Sequence, residues 1–89
     1  MAKKDPIAFI GEQLGPVVQE VAKYVQSQGS VSKADLTEYF KTIPDAVNPE
    51  WDDEMIDNHV VSAMSNLMQF GMVDASPMEG GGVLITWSI

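Results

Sequence analysis

The chain has 89 residues, no cysteine, and thirteen acidic against five basic side chains, which give a formal net charge of -8. Such a chain buries only about 60 to 65 per cent of its unfolded surface, so we expect one domain, and the missing cysteine excludes a disulfide framework and thiolate metal ligation. No segment has the roughly 20 apolar residues of a membrane-spanning helix or the apolar stretch of a signal peptide, so we expect a cytoplasmic protein without a membrane partner.

A short apolar helix is predicted first. Asp5 followed by Pro6 is typical of an N-cap with proline at the first helical position. Gly15 and Pro16 then indicate a break, although one longer helix with a kink is the alternative. The apolar residues of this helix recur at helical spacing or lie beside it: Ile7, Phe9, Ile10 and Leu14.

Two further helices are predicted before residue 45. The first is amphipathic, begins at Pro16 and ends at Gly29. A fragment of strand follows, and Ser32 with Asp35 three residues later has the pattern of a capping box at the start of the next helix. Pro44 predicts the end of that helix. The buried stripe expected on it consists of Leu36, Tyr39 and Phe40.

The strongest helical pattern lies in the second half of the chain. We expect this third main helix to begin between Pro49 and Asp53, with Asn48 as its cap, and to end at Gly71. Its apolar series has i, i+3, i+4 spacing and comprises Met55, Ile56, His59, Val60, Ala63, Met64, Leu67 and Met68.

The C-terminal segment predicts a two-stranded β-hairpin with a flexible glycine tip. Val83, Ile85 and Trp87 alternate with Leu84 and Thr86, as expected for a strand. Because an isolated hairpin is only marginally stable, the face that carries Val83, Ile85 and Trp87 must pack on the helices.

The order of these elements is that of a winged helix-turn-helix domain. The segment NLMQFGMVDASPMEGGGVLITWSI resembles the passage from the third helix into the wing in that superfamily, with a leucine near the helix end, a terminating glycine and an apolar return strand. The resemblance implies an α+β, mainly α fold with three core helices, a C-terminal two-stranded β-wing and a short extra N-terminal helix. Residues 1–15 would be the extension and residues 16–89 the winged-helix domain.

The charge distribution argues against the DNA docking that this resemblance would suggest. In DNA-binding winged helices the third helix and the wing contact phosphates and bases through lysine and arginine. All five lysines here, Lys3, Lys4, Lys23, Lys33 and Lys41, lie in the first half of the chain, and residues 42–89 carry eight carboxylates and no lysine or arginine. Because phosphate contacts supply most non-specific affinity, we expect this surface to reject DNA.

An acidic patch precedes and begins the third main helix. Carboxylates near a helix N-terminus are stabilised by about 0.3 to 1 kcal/mol each, which explains some of them. Six are more than capping needs, so a docking patch for a basic protein surface is the functional interpretation. Calcium binding is disfavoured because the EF-hand spacing and its glycine are missing. The patch comprises Asp45, Glu50, Asp52, Asp53, Glu54 and Asp57.

Neither catalysis nor metal binding is predicted. The chain lacks a nucleophile elbow, a phosphate-cradling glycine loop before a helix and a cysteine nucleophile. His59 is the only histidine, and its position at the edge of an apolar stripe indicates a packed side chain rather than a zinc ligand. We therefore expect no enzyme activity, no metal and no cofactor.

The function predicted from the sequence is a non-catalytic winged-helix protein-interaction module, a small regulatory or accessory subunit that binds a protein partner through its acidic third-helix and wing surface. One alternative is a DNA-binding transcriptional regulator that uses Lys23, Lys33 and Lys41. A homodimer through Ile7, Phe9, Ile10 and Leu14 could accompany it. Another alternative is an inhibitor whose acidic surface imitates a nucleic acid.

Overall fold

The computed structural model describes residues 5–89 and begins with two helices that meet at Gly15. The first helix, α1 (Pro6–Leu14), is capped by Asp5, whose Oδ1 accepts from the Ile7 N–H at 2.9 Å. The second, α2 (Pro16–Gln28), ends at Gly29. The predicted break is confirmed, because Gly15 has φ 93° and ψ 173° and separates the two helices.

Two more helices complete the helical part of the fold. A short strand, β1 (Ser30–Ser32), leads into α3 (Lys33–Phe40), and the Ser32 hydroxyl accepts from the Asp35 N–H at 3.1 Å, as the capping pattern predicts. The longest helix is α4 (Asp53–Gln69). Its end is a Schellman motif, in which the Gly71 N–H donates to the Met68 carbonyl and the Met72 N–H to the Leu67 carbonyl, both at 3.0 Å.

The sheet has three antiparallel strands, one more than the predicted hairpin. The hairpin strands are β2 (Val73–Pro77) and β3 (Val83–Trp87), and β3 lies between β2 and β1. Ile85 at the centre of β3 pairs with Ala75 on one side and with Val31 on the other. At the hairpin tip, residues 80–82 have φ values of 84°, 105° and 91°, which only glycine adopts without strain.

One apolar core joins all the helices to the sheet. Ile85 and Val31 of the sheet are buried, and Val83 and Trp87 pack against the core, as predicted. The central buried residues contributed by the helices are Ile10, Val21, Val25, Leu36, Val60 and Leu67. The α+β, mainly α class expected from the sequence is therefore confirmed, with four helices and a three-stranded sheet in residues 5–89.

In the connector between α3 and α4, the structure differs from two predictions: where α3 ends and which residue caps α4. Helix α3 ends at Phe40, before Pro44, and the Thr42 hydroxyl donates to the Tyr39 carbonyl at 2.7 Å in the tight turns that follow. Asn48 does not cap α4. Its Oδ1 accepts from the Glu50 N–H in a separate turn, and the cap is Asp52, which accepts from the Met55 N–H at 2.9 Å.

Candidate functional site

A groove lies between α3, the first turns of α4 and the tip of the β2–β3 hairpin. It encloses about 700 Å³. Helix α3 supplies the face opposite its buried Leu36 and Phe40, and the N-terminal turns of α4 supply carboxylates. We refer to this feature as the α3–α4 groove, which is lined by Lys33, Ala34, Thr37, Glu38, Lys41, Asp53, Glu54, Asp57, Gly82 and Val83.

Both lysines of the groove are already paired with carboxylates. The Lys33 Nζ donates to Asp57 Oδ1 across the gap between α3 and α4, and this pair is partly buried. The Lys41 Nζ lies 3.7 Å from Glu38 Oε2, one turn earlier on α3. These two pairs cancel the positive charge of the groove, so its remaining charge is set by its other acidic residues.

Those other acidic residues are Asp53 and Glu54, which leave the groove with a net negative charge. They occupy the first two positions of α4 and form no ion pair with any residue from 5 to 89. Four carboxylates and two lysines line the groove, a formal charge of two negative units. Their position at the helix N-terminus stabilises both charges in the free chain.

The structure divides the six residues of the predicted acidic patch. Asp53, Glu54 and Asp57 line the α3–α4 groove, whereas Asp45 borders a separate apolar hollow beside the start of α2. Asp45 adopts a φ of 64°, a conformation that aspartate tolerates better than most residues. The other two members belong to the entry of α4: Glu50 lies in the turn closed by Asn48, and Asp52 is the N-cap.

The three lysines assigned to the DNA-binding alternative all form ion pairs with carboxylates of this chain. Lys23 lies 3.3 Å from Glu20 on α2, and Lys33 and Lys41 form the groove pairs. Every lysine from residue 5 onward is thus paired with a carboxylate. A phosphate that contacts one of these lysines would also come close to the paired carboxylate, which would repel it. Lys3 and Lys4 lie outside the described residues.

The four residues suggested as dimer contacts pack within the chain itself. Ile7 and Ile10 are buried, and Phe9 and Leu14 are half-buried against the same core. The Phe9 ring meets Phe70 edge to face, with centroids 5.4 Å apart, so α1 also reaches the end of α4. Helix α1 is therefore folded back on the core of its own chain.

The His59 side chain forms a hydrogen bond within the chain but lies at the surface. Its Nδ1 is 2.8 Å from the Met55 carbonyl, which requires a proton on Nδ1 because a carbonyl only accepts. Its ring stacks on Trp51 with centroids 3.9 Å apart. The half-buried Trp51 is thereby fixed immediately before the cap of α4, and His59 serves the connector rather than the core.

Two methionines in the apolar series of α4 lie outside its buried face. Met64 is buried, but Met55 and Met68 are exposed, and so is Val61. The apolar series of α4 is wider than the surface that the other elements cover. Val61 and Met68 are seven residues apart, and this spacing was the signal in the sequence that these two side chains share a second face of α4.

Comparisons with protein-family models, with curated protein sequences and with solved structures return no match for this chain. No helix between residues 5 and 89 is long and apolar enough to cross a bilayer. In the same range, no three histidine, aspartate or glutamate side chains converge where they could hold a metal ion. The α3–α4 groove is therefore the candidate site on geometry and charge alone.

Proposed function

We propose that this chain is a non-catalytic protein-interaction module, a small regulatory or accessory subunit that binds a cationic segment of a partner protein in the α3–α4 groove. We further propose a winged-helix arrangement, in which α2, α3 and α4 are the core helices and the β2–β3 hairpin is the wing. The order of the elements along the chain supports that assignment.

The observation that carries the proposal is the charge of the groove. Its two lysines are neutralised internally, while Asp53 and Glu54 remain without an ion pair among the described residues. A cationic side chain that enters the groove would meet two carboxylates at low cost, because neither must first release another partner. A phosphate group would meet the same carboxylates and be repelled by them.

The whole second half of the chain favours the same partner. Residues 42–89 carry eight carboxylates and no lysine or arginine, so the field around α4 and the hairpin is negative. Such a field accelerates association with basic surfaces and opposes wrong partners of like charge. Specificity within that class then depends on the groove, where Lys33 and Lys41 limit how many cations can be accepted.

The proposal is tested by measuring fluorescence anisotropy of labelled decalysine and of a labelled DNA duplex with the full chain at about 0.15 M salt. We expect decalysine to bind and the duplex not to bind. Because an exposed ion pair contributes up to about 1 kcal/mol, the double variant Asp53→Asn, Glu54→Gln should weaken decalysine binding roughly fivefold to tenfold.

The matched control is Asp45→Asn, Glu50→Gln, which removes the same two charges outside the groove. It should change the affinity for decalysine less than about twofold, because only the long-range field is altered. Equal weakening by both double variants would overturn the groove as the site. Binding of the duplex at this salt concentration, with none of decalysine, would overturn the proposed function.

A further inference from the structure

Helix α4 has an inner face that is buried and an outer face that is not. Ile56, Val60, Ala63, Met64 and Leu67 are buried. On the other side, Val61 is 40% exposed and Met68 is 44% exposed. These two apolar side chains therefore contribute little to the core.

The outer face forms a straight line along the helix. Glu54, Val61 and Met68 are seven residues apart, and a straight helix rotates by only about 20° over each such interval. From Glu54 to Met68 the line runs about 21 Å, since each residue rises about 1.5 Å. We call these three residues the α4 stripe; Asp57, Asn58 and Ser65 flank it.

The α4 stripe joins an acidic end to an apolar end. Glu54 also lines the α3–α4 groove, so the stripe begins at the proposed binding site and continues away from it. Met68 at the far end has a flexible thioether that adapts to differently shaped partners. A ligand that follows the stripe must therefore be cationic where it meets the groove and apolar farther along α4.

We infer that the α4 stripe binds a basic amphipathic helix of a partner protein. Seven-residue spacing of contact positions along a helix suits a second helix packed lengthwise, whose side chains recur at the same interval. The charge requirement follows from Glu54 and from the absence of any lysine or arginine after Lys41. This inference rests on the proposed function and specifies the partner segment that the groove receives.

Other occupants fit the stripe less well. Two copies packed antiparallel would place Glu54 of one against Met68 of the other, and two parallel copies would place Glu54 against Glu54. Each copy also carries a formal charge of -8, which opposes self-association. Anionic lipid headgroups would meet the same carboxylates and be repelled.

The test uses a synthetic amphipathic peptide of lysine and leucine, with only lysines in its first turn and its leucines on one helical face of the remaining turns. A scrambled peptide of identical composition is the comparison. Titration calorimetry with the full chain should show the amphipathic peptide binding about tenfold tighter than the scrambled one. The variant Val61→Ser, Met68→Gln should abolish this preference. The control Met78→Gln, Ile89→Ser, which alters exposed apolar residues outside the stripe, should retain it.

The outcomes separate this inference from the proposed function. If Val61→Ser, Met68→Gln keeps the preference while Asp53→Asn, Glu54→Gln still weakens decalysine binding, the stripe is not the contact and only this inference fails. If decalysine binding is indifferent to the groove variant, the proposed function fails. Self-association of the free chain that the stripe variant abolishes, or binding to anionic vesicles through the stripe, would also overturn the basic helix as its occupant.

Discussion

The two long helices differ in how completely the rest of the fold covers them. Helix α2 leaves no large apolar side chain exposed among the described residues, whereas α4 leaves Met55, Val61 and Met68 exposed. The difference comes from α1, which lies against α2: the Gln19 Nε2 donates to the Ile7 carbonyl at 3.1 Å, and Gly11 permits the close approach of Gln19. No described element plays that part on the outer face of α4.

Burial distinguishes the apolar residues that stabilise the fold from those that are available to a partner. Val21 and Val25 of α2 are buried, and so is Leu67 of α4, so they serve the core. Met68 follows Leu67 directly but is exposed. Replacing residues of these two kinds should therefore affect stability very differently, even at neighbouring positions.

The largest effect is expected for Leu67→Ala. Leu67 is fully buried in the core, so its truncation leaves a cavity and should lower the free energy of unfolding by about 3 to 5 kcal/mol. The matched variant Met68→Ala should change it by less than about 0.5 kcal/mol. Urea unfolding followed by circular dichroism measures both, and a similar loss in the two variants would break the distinction between the faces of α4.

A somewhat smaller effect is expected for Ile10→Ala. Ile10 is fully buried although it lies in the N-terminal helix, so its truncation should lower the free energy of unfolding by about 2 to 4 kcal/mol in a single transition. The control Ala8→Ser changes an exposed residue of the same helix and should cost about 0.5 kcal/mol or less. An early separate transition in Ile10→Ala would show instead that α1 is an independent extension.

The smallest effect concerns the start of α4. Asp52→Ala removes the side chain that accepts from the Met55 N–H, which should cost about 1 kcal/mol and accelerate exchange of that amide hydrogen. Asn48→Ala should leave exchange at Met55 unchanged, because Asn48 bonds only within its own turn. If Asn48→Ala accelerates exchange at Met55 and Asp52→Ala does not, the position of the cap is wrong.

Local rules explain what the sequence could predict of this fold. Asp5, Ser32 and Gly71 act within a few residues of their own positions, and each occupies the predicted place at a helix end. The prediction that Asn48 caps α4 was wrong, because Asn48 and Asp52 both have a side-chain oxygen that can accept from a helix N-terminus. The helix begins at the later residue, which leaves Trp51 before the cap and stacked on His59.

The features that sequence could not supply depend on contacts between distant residues. The pairing of β1 with β3 joins residues more than fifty positions apart, and it turns the predicted hairpin into a three-stranded sheet. The Lys33–Asp57 pair spans 24 positions and neutralises a lysine that the sequence alone offered to DNA. The sequence shows that the second half of the chain is acidic. Which of its carboxylates line the groove and which lie on other surfaces depends on how α3 packs against α4.

The most direct measurement is an amide NMR titration of the full chain with the amphipathic leucine–lysine peptide. We expect the largest chemical-shift changes at Asp53 and Glu54 and along the outer face of α4 through Val61 to Met68, with little change in α2. Changes centred on α2, or on the hollow beside Asp45, would contradict the claim that the uncovered face of α4 and the acidic end of the groove form one binding surface.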